Sequence, residues 1–522
     1  LCAPAREYVD PETALAPLAS ALFQKTSADF NAWTVTSVAA KEAAAGGRPA
    51  AELEVSLDRP TLSLRATVRL TAYPRTSVIR QRVEFENSGT RDLTLKTVVP
   101  FCVGLKSADL SEFKQLTLVG ANCKPDQGTI REEDLTGTFH HALKGNGTRE
   151  LVPWTSIQRK TGERDGWFVL LDQEGPWGVA ADREGNGVPV LSVTSFGGTL
   201  KPGERFALPL VTAGTYKGSL DDMGQRVYGW FYEYQWDYTH HDWFARTLHL
   251  DRFNPYWSDA VWNVQEKFAS RLAMVLNTAL VAQGIGEETL WDDIAWWASP
   301  ATIPAYYEGP DFARTSRFLA KADMKFIGYF SGAPRSSVLN AKYGAEGNYQ
   351  WRTDMCAWGR GNRGAVTPEQ VKTFLNEHPR CSFHSCSDGG GYNHGFEVQR
   401  LGDVNQMSDR SPEQSNYCFS YLEIPDKWQN TFGAGEGAGG RFDASIHRRI
   451  LSHVPSWYAI PSPESQEAVR QTVEIYHYLM RKGVAGRWSY LFHPSVQGDQ
   501  ALFYVQRTSY DRERACVVLK HT

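Results

Sequence analysis

The chain has 522 residues, too many for one ordinary hydrophobic core, so two or three domains are expected from size alone. A net charge of −4 with no basic stretch argues against nucleic acid as a partner, and no acidic block marks a disordered tail. No apolar run reaches membrane-spanning length: the most apolar segment, LAMVLNTALVA at 272–282, is short and interrupted by Asn277 and Thr278.

Aromatic residues make up 12% of the chain, with 17 Trp and 22 Tyr, and many cluster between Tyr228 and Tyr307 and around Trp351 and Trp358. Indole faces stack on the C–H faces of sugar rings while neighbouring polar groups read the hydroxyls, which points toward a carbohydrate partner; large packed cores are the competing explanation. The eight cysteines are too dispersed for a disulfide scaffold. Cys381-x4-Cys386 with His384 and His394 lacks the spacing of a zinc site, so neither a metal nor a cofactor is expected. A start at Leu1 rather than Met leaves room for a removed signal peptide, and with it a soluble protein in a periplasmic or secreted location.

In chain order, residues 52–212 carry a period of two. TLSLRATVRLT at 61–71 alternates cleanly, and VIRQRVEFENSGTRDLTLKTVV at 78–99 reads as two strands around Asn87-Ser88-Gly89-Thr90. GWFVLLDQEGPWGVAAD at 166–182 repeats the arrangement with a Gly-Pro turn. Short strands separated by turn signals predict an antiparallel sandwich over 1–227.

An aromatic connector follows at 228–255, and the character then changes. Apolar residues recur at helical spacing over 256–282, and helices alternate with short apolar strands: Phe312–Lys321 with MKFIGYF at 324–330, then Pro368–Asn376 with CSF at 381–383. This alternation predicts a (β/α)8 barrel over 256–485, closed by a helix at 464–483, and a small β-domain at 486–522. The fold class is thus multidomain β plus α/β. In such barrels the chemistry sits on loops after the strands' C-terminal ends.

Four stretches hold carboxylates in those positions. LWDDIAWW at 290–297 sets Asp292 and Asp293 beside Trp296, acceptors next to stacking faces; one capping and one solvated aspartate would look the same. QWRTDMCAW at 350–358 offers Asp354 with Trp351 and Arg352 just before it, and a nearby guanidinium would keep a nucleophilic carboxylate ionised. HSCSDGGG at 384–391 supplies Cys386, Asp388, Gly389 and Gly390, where bare backbone lets a ligand come close. NQMSDRSPEQ at 405–414 supplies Asp409. Two carboxylates flanking an anomeric carbon are what glycoside hydrolysis needs.

Taken in order, these segments resemble the clan of retaining α-glycosidases that contains the family 36 α-galactosidases. That family joins an N-terminal β-supersandwich to a (β/α)8 barrel and a small C-terminal β-domain. Its strand pair is similar to VIRQRVEFENSGT at 78–90, its aspartate pair to WDDIAWW, and its GLKFGLWFEPE strand to DMKFIGYFSGAP at 323–334. Its Cys-x-Ser-Gly-Gly-Gly loop, followed some twenty residues later by Ser-Asp, resembles Cys386-Ser387-Asp388-Gly389-Gly390-Gly391 and Ser408-Asp409.

The resemblance implies that Asp409 is the general acid/base. The family's nucleophile stands in Lys-x-Asp on the strand before the glycine loop; no Lys-x-Asp lies between Gly328 and Cys386, where Asp354 is the one aspartate. Asp354 is therefore the first choice for nucleophile and Asp388 the second. Asp292, Asp293, Trp296, Trp351, Arg352, Cys386, Asp388, Gly389 and Gly390 would line the sugar pocket. Ser331-Gly332-Ala333-Pro334 replaces an expected glutamate and Tyr392 an expected arginine, departures that fall in the sugar-binding shell. The expected partner is a carbohydrate, and family members often associate, which leaves a homo-oligomer open.

Overall fold

The computed structural model describes residues 33–95, 97–104, 110–120, 126, 128–135, 140–146, 150–161, 165–172, 176–183, 189–196 and 198–235. Beyond them it describes the strands and helices named below, with 482–484, 509 and 511–514. The chain divides into two compact units: residues 1–122 with 126–236, and residues 123–125 with 237–522.

The first unit opens with a hairpin of β1 (Thr34–Ala45) and β2 (Arg48–Arg59). Gly46 and Gly47, at φ 55° and 72°, form the two-residue turn that brings Ala45 opposite Arg48. Positive φ at both central positions matches the twist of the flanking strands, and glycine adopts it without a steric cost. Next come β3 (Leu64–Tyr73), β4 (Val78–Asn87), β5 (Leu93–Thr94), β6 (Thr97–Gly104), β7 (Phe113–Val119), β8 (Ile130–Asp134), β9 (His140–Asn146) and β10 (Leu151–Arg159). They are followed by β11 (Asp165–Leu171), β12 (Pro176–Arg183), β13 (Pro189–Phe196), β14 (Thr199–Leu200), β15 (Arg205–Ala207) and β16 (Val211–Lys217).

These strands form antiparallel sheets, as the alternating sequence predicts. A ten-stranded sheet runs β1-β2-β3-β4-β16-β11-β10-β7-β8, with β15 also on β4, and a four-stranded sheet runs β6-β13-β12-β9. The sequence 78–99 does hold strands on both sides of Asn87-Ser88-Gly89-Thr90, yet they do not pair with each other: β4 stays in the large sheet while β5 pairs with β14 and β6 with β13. Residues 166–182 behave alike, β11 lying in the large sheet and β12 in the small one. Asn87 organises the first crossing, its side-chain amide donating to the carbonyls of Arg91 (2.7 Å) and Leu200 (3.0 Å) while its oxygen accepts from Gly89 N (3.0 Å).

Between the sheets lie Leu57, Leu64, Ala66, Val68, Val83 and Phe85 from β2–β4, packed with Leu95, Val98, Leu200 and Leu208. Every residue from Val152 to Gln158 and from Asp165 to Leu171 is buried, so the centre of the large sheet is covered on both faces. Its polar side chains are consequently paired inside: Ser156 Oγ lies 2.7 Å from Tyr216 OH, and Gln115 donates to Thr155 Oγ1 at 3.0 Å.

A helix, α1 (Leu220–Trp230), follows β16 and continues into a wider turn over Phe231–Gln235. Ser219 caps it: Asp222 N donates to Ser219 Oγ (3.4 Å), and Asp222 Oδ2 accepts from Ser219 N (2.7 Å). Leu220, Met223, Val227 and Tyr228 fall on one stripe and are buried. Tyr228, Trp230, Phe231, Tyr232 and Tyr234 are all buried too, and Tyr73 meets Trp230 and Tyr234 with ring centroids 5.7 and 5.1 Å apart. For these aromatics the packed-core explanation holds.

The second unit contains β17 (His249–Leu250), β18 (Thr289–Asp292), β19 (Lys325–Phe330), β20 (Tyr349–Thr353), α2 (Pro368–Glu377), β21 (Ser382–Ser385), β22 (Val404–Gln406), β23 (Trp428–Gln429), β24 (Ser456–Trp457) and α3 (Gln466–Arg481). The eight strands form one parallel sheet in the order β23-β22-β21-β20-β19-β18-β17-β24. Each strand from β17 to β23 thus sits beside its sequence neighbours, and the eighth pairs with the first. The expected strand at 324–330 and helices at 368–376 and 464–483 are present; those expected over 256–282 and 312–321 lie outside the described residues. The chain ends in a three-stranded antiparallel sheet of β25 (Trp488–Phe492), β26 (Leu502–Thr508) and β27 (Ala515–His521).

Candidate active site

All strands of a parallel sheet end on the same edge, so the loops leaving their C-terminal ends gather there. The strands place several candidate residues relative to that edge. Asp292 is the last residue of β18, and Trp351 and Arg352 lie just before the end of β20. Asp292 is in register with Gly328, Gly328 with Trp351, and Trp351 with Phe383, so one row across four strands joins the β18 aspartate to the β20 tryptophan. Arg352 belongs to the next row, with Tyr329, His384 and Val404. Because successive positions alternate across the pleat, the Trp351 and Arg352 positions belong to opposite faces of the sheet.

The remaining candidates follow these strands in sequence. Asp293 comes directly after β18, with Trp296 three residues on; Asp354 comes directly after β20; Cys386 comes directly after β21, leading to Asp388, Gly389 and Gly390; Asp409 comes three residues after β22. These eight residues lie outside the described ones. Since β20 pairs with β21 and β21 with β22, the strand leading to the glycine loop lies between those leading to Asp354 and Asp409. At about 4.8 Å between neighbouring strands, β20 and β22 are about 10 Å apart.

A further signal was present in the sequence. Arg352-Thr353-Asp354 has a cation two residues before the aspartate, as Lys-x-Asp does, on the strand that pairs with the one before the glycine loop. Among the described residues, no group of three or more His, Cys, Asp and Glu side chains gathers as a metal site would require, and no helix is long and apolar enough to cross a membrane.

Comparison with known proteins bears on this arrangement. Residues 20–123 match the Glycosyl hydrolase family 36 N-terminal domain. Among solved structures, the alpha-galactosidase from Lactobacillus brevis superposes with a TM-score of 0.70 at 14% identity, over 94% of this chain and 76% of that one. The family 36 alpha-galactosidase AgaA from Geobacillus stearothermophilus gives 0.67 at 15% identity, over 93% and 79%. A family 97 glycoside hydrolase from Pseudoalteromonas sp. strain K8 gives 0.52 at 11% identity, over 94% and 82%. The comparison with curated proteins finds no sequence match. At these identities the likeness to solved structures is one of fold, and with the domain match it establishes a distant relationship to glycoside hydrolase family 36.

Proposed function

We propose that the protein is a retaining glycoside hydrolase that removes a terminal α-linked sugar, α-galactoside-like, from an oligo- or polysaccharide. The observation that carries this reading is the order of the parallel strands: the first pairs with the eighth, and the segments bearing the paired carboxylates follow the C-terminal ends of β18, β20, β21 and β22. Closure of β23 on β24 completes a (β/α)8 barrel with those loops around one mouth. The alpha-galactosidases named above support the choice of reaction class.

In the mechanism, the Asp354 carboxylate attacks the anomeric carbon as Asp409 gives its proton to the departing glycosidic oxygen. Asp409, now ionised, takes a proton from water, which attacks the same carbon and releases the sugar with its configuration restored and Asp354 free. Such a sequence requires carboxyl groups about 5–5.5 Å apart. The cation at Arg352 favours the ionised form of Asp354. Asp292, Asp293 and Asp388 supply acceptors for sugar hydroxyls, Trp296 and Trp351 supply stacking faces, and Cys386, Gly389 and Gly390 shape the wall.

A panel of aryl α-glycosides tests the reading. Release of the chromophore from at least one of them, with the α-anomer appearing first by NMR, is the expected result. No release from any member would leave a barrel that only binds glycans, the reading favoured by the missing Lys-x-Asp. Release with a sugar acceptor outcompeting water would instead identify a transglycosidase.

A further inference from the structure

A recessed cleft lies in the first unit. It measures about 400 Å³ and is bounded by the end of β1–β2, the β3–β4 turn, the end of β16 and helix α1. Four cations line it, Arg48, Arg75, Lys217 and Arg226, against two carboxylates, Asp222 and Glu233. Both acids are engaged: Asp222 Oδ2 accepts from the backbone N (2.7 Å) and hydroxyl (2.9 Å) of Ser219, and Glu233 lies 4.0 Å from Arg48. The lining therefore carries a net positive charge, and buried Thr76 and Trp230 form part of its wall.

Two features set this cleft apart from an ordinary charged surface. Arg75 has φ 69° and Ser77 φ 56°, the left-handed region that costs a side-chain-bearing residue about 1–2 kcal/mol. The turn is held in that form by Thr76, whose N (3.3 Å) and Oγ1 (2.8 Å) both donate to Tyr73 O and whose Oγ1 accepts from Val78 N (3.2 Å). Tyr234 OH fastens Pro74 O at 3.0 Å. Arg75 is thus presented by a tied loop and makes no hydrogen bond or ion pair with another described residue. Strained backbone held by its surroundings is a mark of ligand-binding positions.

The second feature is Gly229. It stands inside α1, where glycine costs about 1 kcal/mol relative to alanine. A Cβ there would meet nothing within 4 Å, so packing does not require the glycine, while its absence of a side chain keeps this wall of the cleft open.

We propose that this cleft binds a ligand bearing an oxyanion, a phosphate or sulfate ester or a carboxylate, with Arg75 as its principal partner. Guanidinium groups match such anions with paired N–H donors. The cleft's proposed ligand does not depend on the sugar chemistry proposed above.

Calorimetric titration of the full chain with inorganic phosphate, with glucuronate and with neutral glucose tests the proposal. The expected result is saturable binding of phosphate, glucuronate or both, none of glucose in this cleft, and affinity falling as salt rises. Phosphate without glucuronate identifies an ester ligand, the reverse a uronate. Arg75→Asn, which suits a left-handed φ, should weaken binding about tenfold, and Lys217→Gln should weaken it less. Gly229→Leu should abolish it, with the thermal midpoint of each variant at or above that of the parent and hydrolysis of any aryl glycoside unchanged. Failure of both anions to bind, or binding that Arg75→Asn and Gly229→Leu leave intact, overturns the proposal.

Discussion

In the first unit neighbouring strands run antiparallel, so successive loops leave from opposite edges of the sheets. In the parallel sheet of the second unit all eight strands run the same way, so their C-terminal ends share one edge. The first arrangement disperses polar side chains and puts the sequence's resources into burial, with Val152–Gln158 and Asp165–Leu171 covered throughout. The second brings the C-terminal ends of its strands to one edge, and the segments that follow those ends in sequence carry the aspartates, the glycine run and several tryptophans. The contrast explains why substitutions in the two units should fail in different ways: activity without stability in one, stability without chemistry in the other.

The sharpest break in that contrast comes from the carboxylates. In the proposed mechanism Asp354→Asn and Asp409→Asn each remove a reacting group, so each should lower kcat/KM by about 10³-fold with little change in thermal midpoint. Steady-state kinetics beside calorimetry checks both halves. A loss of stability matching the loss of rate would assign these residues a structural role.

Next in size is the buried ion pair of the first unit. Arg80 Nη2 lies 3.3 Å from Asp172 Oδ2 with side chains 6% and 7% exposed, and Arg80 also reaches Gln235 at 3.4 Å and lies over the Trp230 ring. Removing Asp172 takes the carboxylate away from a buried guanidinium, so Asp172→Ala should cost about 3–5 kcal/mol in denaturant unfolding. Replacing both with apolar residues of similar volume should cost much less.

At Gly218, φ is 101° and a Cβ would sit 2.2 Å from Asp222 Oδ2. Gly218→Ala should therefore cost about 2 kcal/mol, by strain and by disturbing the cap. Ser219→Ala removes the cap's hydroxyl alone and should cost about 1 kcal/mol by the same assay.

The smallest effect is one of pH. Burial pushes the Tyr216 phenol up from its usual value, against the opposing pull of its hydrogen bond to Ser156. A raised folded value means that the unfolded chain gives up this proton first. The stabilisation is whole below the unfolded value, about 10, and is lost as pH rises from there toward the folded value. Unfolding curves across that alkaline window should be less steep in their pH dependence for Tyr216→Phe than for the parent.

The same contrast governs what could be read from sequence. Alternation revealed β3 and β4 because Leu64, Ala66 and Val68 face the core while their neighbours do not. The apolar run of β19 and the Pro-led start of α2 were equally plain. Alternation could not say which sheet a strand joins, so the crossings after β4 and β11 were hidden: the first depends on a distant partner, Thr199 opposite Thr94, and the second on β12 pairing with β9 and β13. It also missed β1, whose Ala-rich residues are exposed on both faces as far as Glu42, although the Gly46-Gly47 turn marked the hairpin. Helix α1 had a legible cap in Ser219 and Asp222, masked by the aromatic richness that follows.

For the proposed active site, sequence motifs supplied every candidate and the parallel strands supplied the order of the strands that lead to them. Asp292, Trp351 and Arg352 stand at the ends of strands linked in register, and the paired strands β20, β21 and β22 lead to Asp354, to the glycine loop and to Asp409. What periodicity could not supply is the distance between carboxyl groups on separate loops, which follows from tertiary packing alone.

Trapping with a fluorinated mechanism-based α-glycoside, followed by peptide mass mapping, tests the central claim most directly. The double-displacement account predicts one sugar on the peptide that carries Asp354. A label on the Asp388 peptide, or active enzyme that accumulates no label, would contradict it.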